Sequence, residues 1–394
     1  MEWAGGNLES FQKGSETIKR LLDVEITPKG LSSLTVRIGG EREGLRDAEV
    51  ARFDNGELEP RYAQSPSAAA VMLDGGRAQT RAADSPPGVH DPAWAETKVA
   101  NLSTYTDVNF TEDPQPEPPS KFLDPPKVLK IIREMKGASG GSKAQEEASK
   151  KAAPKQTPEP REKQPQPKRK VRTVIATTKN CEAFGPMVAA EATRRGFFGA
   201  KKKAALGDGG LWIWGIVSFY FIGFTPILDF VHLLTHLYAA ARAAFKGEPK
   251  KAWKLYEKLL RLAWGGKVTE VQNLLAKHAS RIGDPPEKAA DDDPRKILAR
   301  ERAYVKTNAD KMDYARYRQQ GLPISSAPME SLIKEVNKRV KGTEKFWTKK
   351  RLEAVLQTRA AYLGDDGRGD EFWKKRPLGR AAGRSLFKAS KAAA

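Results

Sequence analysis

Two hydrophobic patterns alternate along the chain. Short unbroken apolar runs are closed by polar, glycine-bearing clusters. Between them lie longer stretches whose apolar residues recur every three or four positions. Ala69-Ala70-Val71-Met72-Leu73 is such a run, followed by Asp74-Gly75-Gly76. This predicts a buried strand that delivers an aspartate to its end and then turns. Thr97–Tyr105 alternates as a further strand, and Val171–Thr177 is another. Lys202–Leu206 repeats the first arrangement, ending at Gly207-Asp208-Gly209-Gly210. Helices are predicted over Leu8–Leu22, Pro28–Ile38, Lys127–Met135, Cys181–Phe198 and Val231–Phe245, then over Lys250–Trp264, Val268–Ser280, Arg295–Tyr317, Met329–Lys341 and Lys349–Leu363. Strands mixed with helices make the fold class α/β.

Leu211–Ile227 carries no charge over seventeen residues. A transmembrane helix needs about 20. Gly223 and Pro226 divide the run, and Asp208 and Asp229 flank it. The expected reading is a core helix, Leu211–Phe221, followed by a core strand, Pro226–Phe230, with no membrane span. The N-terminus lacks a charged-then-apolar signal pattern, and Cys181 is the only cysteine. A cytoplasmic protein without an intrachain disulfide is therefore expected.

Composition divides the chain further. Residues 138–170 hold five prolines, nine Lys or Arg and no aromatic, Val, Leu, Ile or Met. Such a stretch cannot offset its ordering entropy by burial, which predicts a disordered basic tether. The expected order is a helical region (1–67), a first core part (68–137), the tether (138–170) and a second core part (171–245). Further helical stretches (246–311 and 312–373) and a basic tail (374–394) follow. Within the first region, Leu31–Arg37 could be the recognition helix of a helix-turn-helix remnant. A plain helical hairpin competes with that reading.

The net charge is +20, and half of it lies in residues 334–394, with 17 Lys or Arg against 7 Asp or Glu. This favours a polyanionic partner, with nucleic acid and an anionic membrane surface both open at this level.

Three carboxylates stand out. Asp74 and Asp208 each follow a short apolar run and precede glycine, and Glu330 begins a helix after Leu322–Pro328. Hard oxygen ligands brought together from rigid elements are what a two-metal phosphoryl-transfer site requires. Spacing alone does not select this triple, because Asp-Gly is also a common turn. Asp291-Asp292-Asp293 is better read as a solvated helix-entry run.

The blocks VMLDGGRAQTR, WAETKVANL, LGDGGLWIWGIV, ILDFVHLLTHLYAAAR and MDYARYRQQGLPISSAPMESLIKEVNKRVKGTEKFW follow one another between Ala68 and Trp373. They resemble a bacterial insertion-sequence transposase of the Asp-Asp-Glu type. The likeness is to the Mutator-like superfamily, with a helical insertion before the glutamate. The resemblance implies a ribonuclease-H-like core, a mixed sheet flanked by helices. Asp74 would lie on its first strand, Asp208 on its fourth and Glu330 on its C-terminal helix. These three would be catalytic and would hold two Mg²⁺ (or Mn²⁺) ions. Asp229 and His232 match the family's Asp-x-x-His element as accessory residues. The implied activity is cleavage and strand transfer of double-stranded DNA, at element ends and target, by a homo-oligomer assembled on DNA.

Lys334, Lys338, Arg339 and Lys341 follow Glu330 and could hold phosphates beside the scissile bond. Trp212 and Trp214 could stack on a flipped base, against a reading as core residues. In place of the family's Gly-Ser-Gly-like turn stands Ser325-Ser326-Ala327-Pro328. The alternative to an active transposase is a decayed copy that retains nucleic-acid binding.

Overall fold

The computed structural model describes residues 1–85, 93–138, 167–342 and 344–376, with the backbone of Lys388–Ala389. Five strands form one mixed sheet: β1 (Ala68–Thr80), β2 (Ala93–Tyr105), β3 (Arg169–Thr177), β4 (Lys202–Gly207) and β5 (Thr225–Leu228). Their order is β3-β2-β1-β4-β5. β2 is antiparallel to both its neighbours, whereas β1, β4 and β5 run parallel. The helices are α1 (Glu2–Asn7), α2 (Phe11–Leu22), α3 (Pro28–Asp54), α4 (Pro125–Ala138), α5 (Cys181–Arg194), α6 (Leu211–Tyr220) and α7 (Phe230–Ala244). They continue with α8 (Pro249–Trp264), α9 (Val268–Ile282), α10 (Pro294–Thr307), α11 (Tyr314–Gln319), α12 (Ala327–Val340), α13 (Lys349–Leu363) and α14 (Arg368–Lys375).

The unbroken apolar run of β1 has a direct cause: both faces of the sheet are covered. Ala68, Ala70 and Met72 join the core beneath α7 and α12, together with Ala204 and Leu206 of β4. Ala69, Val71 and Leu73 join the opposite core, against α5 and α6. Side chains alternate along a strand. Asp74 and Asp208 therefore continue the lines of Met72 and Leu206 on the α7 side.

Asp74 does not end its strand, contrary to the turn expected there. Antiparallel pairing with β2 runs on from Asp74↔Val99 through Gly76↔Thr97 to Thr80↔Ala93. Gly76 serves close approach, since a Cβ there would lie 2.9 Å from Thr97 Oγ1. The parallel pairing with β4 does end nearby, at Met72↔Leu206. Asp74 thus stands where its neighbouring strand stops. The expected turn does form at Asp208-Gly209-Gly210, with Gly209 at φ +99°.

Other boundaries moved for physical reasons. The second N-terminal helix was expected to stop at Ile38, yet α3 spans 27 residues. It passes through Gly39, where a Cβ would sit 2.2 Å from the Ala354 carbonyl oxygen of α13. That glycine permits backbone contact between two helices. Leu31–Arg37 is thus part of a long helix packed on α13, not a short separate recognition helix. The predicted helix Arg295–Tyr317 is two, α10 and α11, parted by a 3-10 turn at Ala309–Lys311. The tether's last residues, Arg169 and Lys170, belong to β3, while 139–166 lie outside the described residues. α6 buries Ile213, Ile216 and Val217 as expected of a core helix. Its other side is open, with Leu211 77%, Phe219 73% and the following Ile222 79% exposed. Among the described residues no helix is long and apolar enough to cross a membrane.

Candidate acidic site

The parallel register sets the first two carboxylates side by side. Ala70 pairs with Ala204 and Met72 with Leu206, so a constant offset of 134 leads to Asp74 and Asp208. Asp74 Oδ1 accepts from the Gly75 N–H at 2.6 Å. Asp208 Oδ1 accepts from Gly210 N–H at 2.9 Å. Both are local backbone bonds. Burial pushes the Asp74 carboxyl up to about 7, and the neighbouring Asp208 charge adds to the shift.

The next strand supplies a contrasting carboxylate. Asp229, fully buried, caps α7. Its Oδ2 accepts from the His232 backbone at 3.1 Å and lies 2.6 Å from His232 Nδ1. Its Oδ1 accepts from Ser326 N–H at 2.7 Å. Burial alone would raise this acid, but the His232 hydrogen bond and charge hold it below the usual carboxylate range. Burial likewise disfavours the His232 imidazolium. The Asp229 bond and charge, with Asp208 and Asp74 beyond, push it up to about 9 instead. His232 is therefore a cation at neutral pH beside three acids.

Glu330 enters from α12, in its first turn. The Ser326–Asp229 bond ties the start of that helix to the end of β5. Farther along, Trp347 N–H donates to Gln79 O at 3.0 Å and Arg81 N–H to Trp347 O at 2.8 Å. These bonds fasten the segment after α12 to the far end of β1. Burial, then the Asp229 charge, raises the Glu330 carboxyl. Its Oε1 is buried and has no hydrogen-bond partner. Such an orphaned oxygen is costly unless a cation or water completes it.

Asp74, Asp208, Glu330, Asp229 and His232 thus come into one electrostatic neighbourhood, from four elements. They do not close on a point: among the described residues no three Asp, Glu, His or Cys groups stand close enough to hold a metal ion. In kind they suit a hard divalent cation, with oxygen donors, charge in excess of the one imidazolium, and an orphaned carboxylate oxygen.

The basic candidates separate. Lys334 and Lys338 are exposed on α12, paired with Glu134 at 3.1 Å and Glu335 at 2.5 Å. Arg339 is no phosphate ligand, being 1% exposed. Its Nε donates to Gly5 O at 2.9 Å, and its guanidinium lies over the Phe11 and Trp347 rings. Its position, nine residues after Glu330, turns it toward the N-terminal helices instead. Lys341 is half-buried, and burial, then Arg77, lowers its affinity for a proton. Trp212 and Trp214 are half-buried; Trp214 Nε1 donates to Asn308 Oδ1 at 2.9 Å. Asp293 caps α10 and accepts from Arg295 N–H at 2.8 Å, as expected of a helix-entry run.

Sequence reasoning missed Tyr304. Its hydroxyl donates to Asp208 O at 2.7 Å from ninety-six residues away. No local pattern marks that pairing. His236 of α7 stacks on the Tyr304 ring at 3.6 Å. A cavity of about 670 Å³ lies elsewhere, between α3, α5, α13 and α14, and none of the five residues lines it. The chemistry of the acidic cluster, not cavity size, singles out the site. Comparison of the chain with family models, curated proteins and solved structures returns no match.

Proposed function

We propose that this chain is a metal-dependent DNA transposase of the Asp-Asp-Glu type, with Asp74, Asp208 and Glu330 as its acidic triad. The observation that carries the reading is the under-compensated acid pair. Asp74 is pushed up to about 7 by burial and by Asp208, and Glu330, which like Asp74 feels the Asp229 and His232 charges, carries an orphaned oxygen. Like charges held together without partners mark functional carboxylates more often than structural ones. The mixed five-stranded sheet flanked by helices, with Asp74 on its first strand and Asp208 just past its fourth, supports the reading to the extent that the resemblance expects that placement.

In this reading Asp74, Asp208 and Glu330 hold two Mg²⁺ or Mn²⁺ ions. Once bound, these supply Lewis-acid polarisation of the phosphoryl and attacking oxygens. The rest falls to the chain. Asp229 fixes the entry of α12 through Ser326 and so aims Glu330. The His232 imidazolium offsets part of the acidic charge. Lys334 and Lys338 lie about 6 and 12 Å beyond Glu330 along the helix. Their surface ion pairs are weak enough to exchange for phosphates.

A second reading, a decayed copy that only binds DNA, is favoured by the absence, among the described residues, of three ligands close enough to hold a metal. Nicking of supercoiled plasmid separates the two. The proposal requires cleavage in Mg²⁺ or Mn²⁺ that EDTA abolishes. DNA binding with no cleavage in either metal leaves the second reading.

A further inference from the structure

The segment following α7 reaches back to the acidic site through one helix. α10 grips the turn that carries Asp208 at two points. Ahead of α6, the Tyr304 hydroxyl donates to Asp208 O at 2.7 Å. Within α6, Trp214 Nε1 donates to Asn308 Oδ1 at 2.9 Å, while Asn308 Nδ2 donates back to Tyr304 O at 2.9 Å. Gly209, between these points, has φ +99°, and a Cβ there would lie 2.6 Å from Tyr304 Cε2. The turn and the phenol ring are thus fitted to each other.

The ring itself is held. His236 of α7 stacks on it at 3.6 Å and 14°. His236 Nδ1 lies 2.5 Å from Glu301 Oε2, one helical turn before Tyr304 on α10. Glu301 is buried. The sequence of contacts is Glu301, His236, Tyr304, Asp208, each oriented by the one before.

We propose that Tyr304 is a positioning residue for Asp208, through which the helical segment 249–307 sets the place of the second aspartate. This rests on the metal-dependent reading of the acidic site. A carboxylate that must meet a cation together with groups on other elements tolerates little displacement; a misplacement of about 1 Å can cost about a hundredfold in rate.

The test uses the full chain and compares Tyr304→Phe with Tyr256→Phe. Tyr256 is the matched control, because its hydroxyl also donates to a backbone carbonyl, Phe122 O at 3.0 Å, but away from the acids. Metal binding is read without DNA by tryptophan-sensitised Tb³⁺ luminescence with Mn²⁺ competition, and cleavage by plasmid nicking. Tyr304→Phe is expected to weaken Mn²⁺ binding about tenfold, the worth of one well-placed hydrogen bond. Tyr256→Phe should lose comparable thermal stability yet bind Mn²⁺ like the parent. His236→Leu, which removes the stacking partner, should weaken Mn²⁺ binding by about threefold; it serves if Tyr304→Phe misfolds. Unchanged Mn²⁺ affinity in folded Tyr304→Phe, or in His236→Leu when it stands in, overturns the proposal. So does a parent that binds no Mn²⁺. A parent that binds Mn²⁺ but never cuts DNA sinks the transposase reading alone, and the tyrosine comparison still decides the positioning role.

Discussion

Two clusters of buried charge in this molecule obey opposite rules. At the sheet edge, between α3, α5, α13 and α14, acids meet guanidinium groups. Arg46 Nη1 pairs with Glu353 at 2.8 Å and Arg42 with Glu2 at 3.1 Å, with the more exposed Arg376–Glu41 pair, at 2.6 Å, on the rim. Burial would raise Glu353, but Arg46 and the Thr177 and Thr178 donors hold it below the usual carboxylate range. Glu191 is the exception that fits the rule: its nearest guanidinium, Arg368, stands 3.6 Å off, and burial raises it. At the acidic site Asp74 and Glu330 have no such partner, and both are raised. Paired charges there serve the fold. Asp74 and Glu330 lack a bonded cationic partner and are held against their own electrostatics by the sheet and a tied helix, as the proposed metal-binding role requires.

The sharpest way to break this comparison is to neutralise each site and ask what is lost. Asp74→Asn, Asp208→Asn and Glu330→Gln should each lower metal-dependent plasmid nicking by about a thousandfold or more, without additivity, because they act as one unit. Asp291→Asn, exposed and paired with Lys296 at 2.7 Å, should cut like the parent. An active Glu330→Gln would show that the wrong carboxylate has been chosen.

The paired cluster should answer in stability instead. Glu353→Ala removes a buried acceptor shared by Arg46, Thr177, Thr178 and Gln357, leaves Arg46 its Asp47 bonds, and should cost about 2 kcal/mol in urea unfolding. The folded variant should keep its cleavage rate. A large loss of rate with intact stability would erase the distinction between the clusters.

Protons offer a finer measure. Asp74 has a raised pKa in the fold, so the native state holds its proton more tightly than the unfolded chain. Stability in EDTA should therefore fall as pH rises from about 4 to about 7. Asp74→Asn removes that penalty and should be more stable than the parent at pH 8 by on the order of 1–2 kcal/mol. His232 acts over a higher window. Its contribution is complete below about 6.5 and is lost as pH rises through about 9. His232→Gln should flatten the stability profile between these values. An Asp74→Asn variant less stable than the parent at pH 8 would mean the pair is compensated after all.

The smallest effect belongs to the surface. Lys334→Ala and Lys338→Ala should weaken DNA binding about equally for all sequences, each lowering the salt slope by about one. Arg339→Ala should destabilise the fold instead, because its guanidinium bonds the Gly5 carbonyl inside the protein.

The sequence alone determined the elements whose cause is local. Alternation and unbroken apolar runs located β1 and β4. That Asp74 and Asp208 share a face needed the register between the two strands as well. Lys349–Leu363 was legible as a helix to the residue, and Asp229 fell between apolar run and helix, where a cap belongs. The family-like blocks then selected three acids out of many, a choice that spacing could not make. What tertiary structure decided was partnership. Asp74 stayed within a strand because β2 pairs past it. Asp229 reached Ser326 across ninety-seven residues. Arg339 turned inward among aromatic rings, and Tyr304 came to hold Asp208. Local periodicity fixes which way a side chain points from its own backbone. Which group it meets there depends on elements brought up from elsewhere in the chain, and no local spacing encodes that encounter.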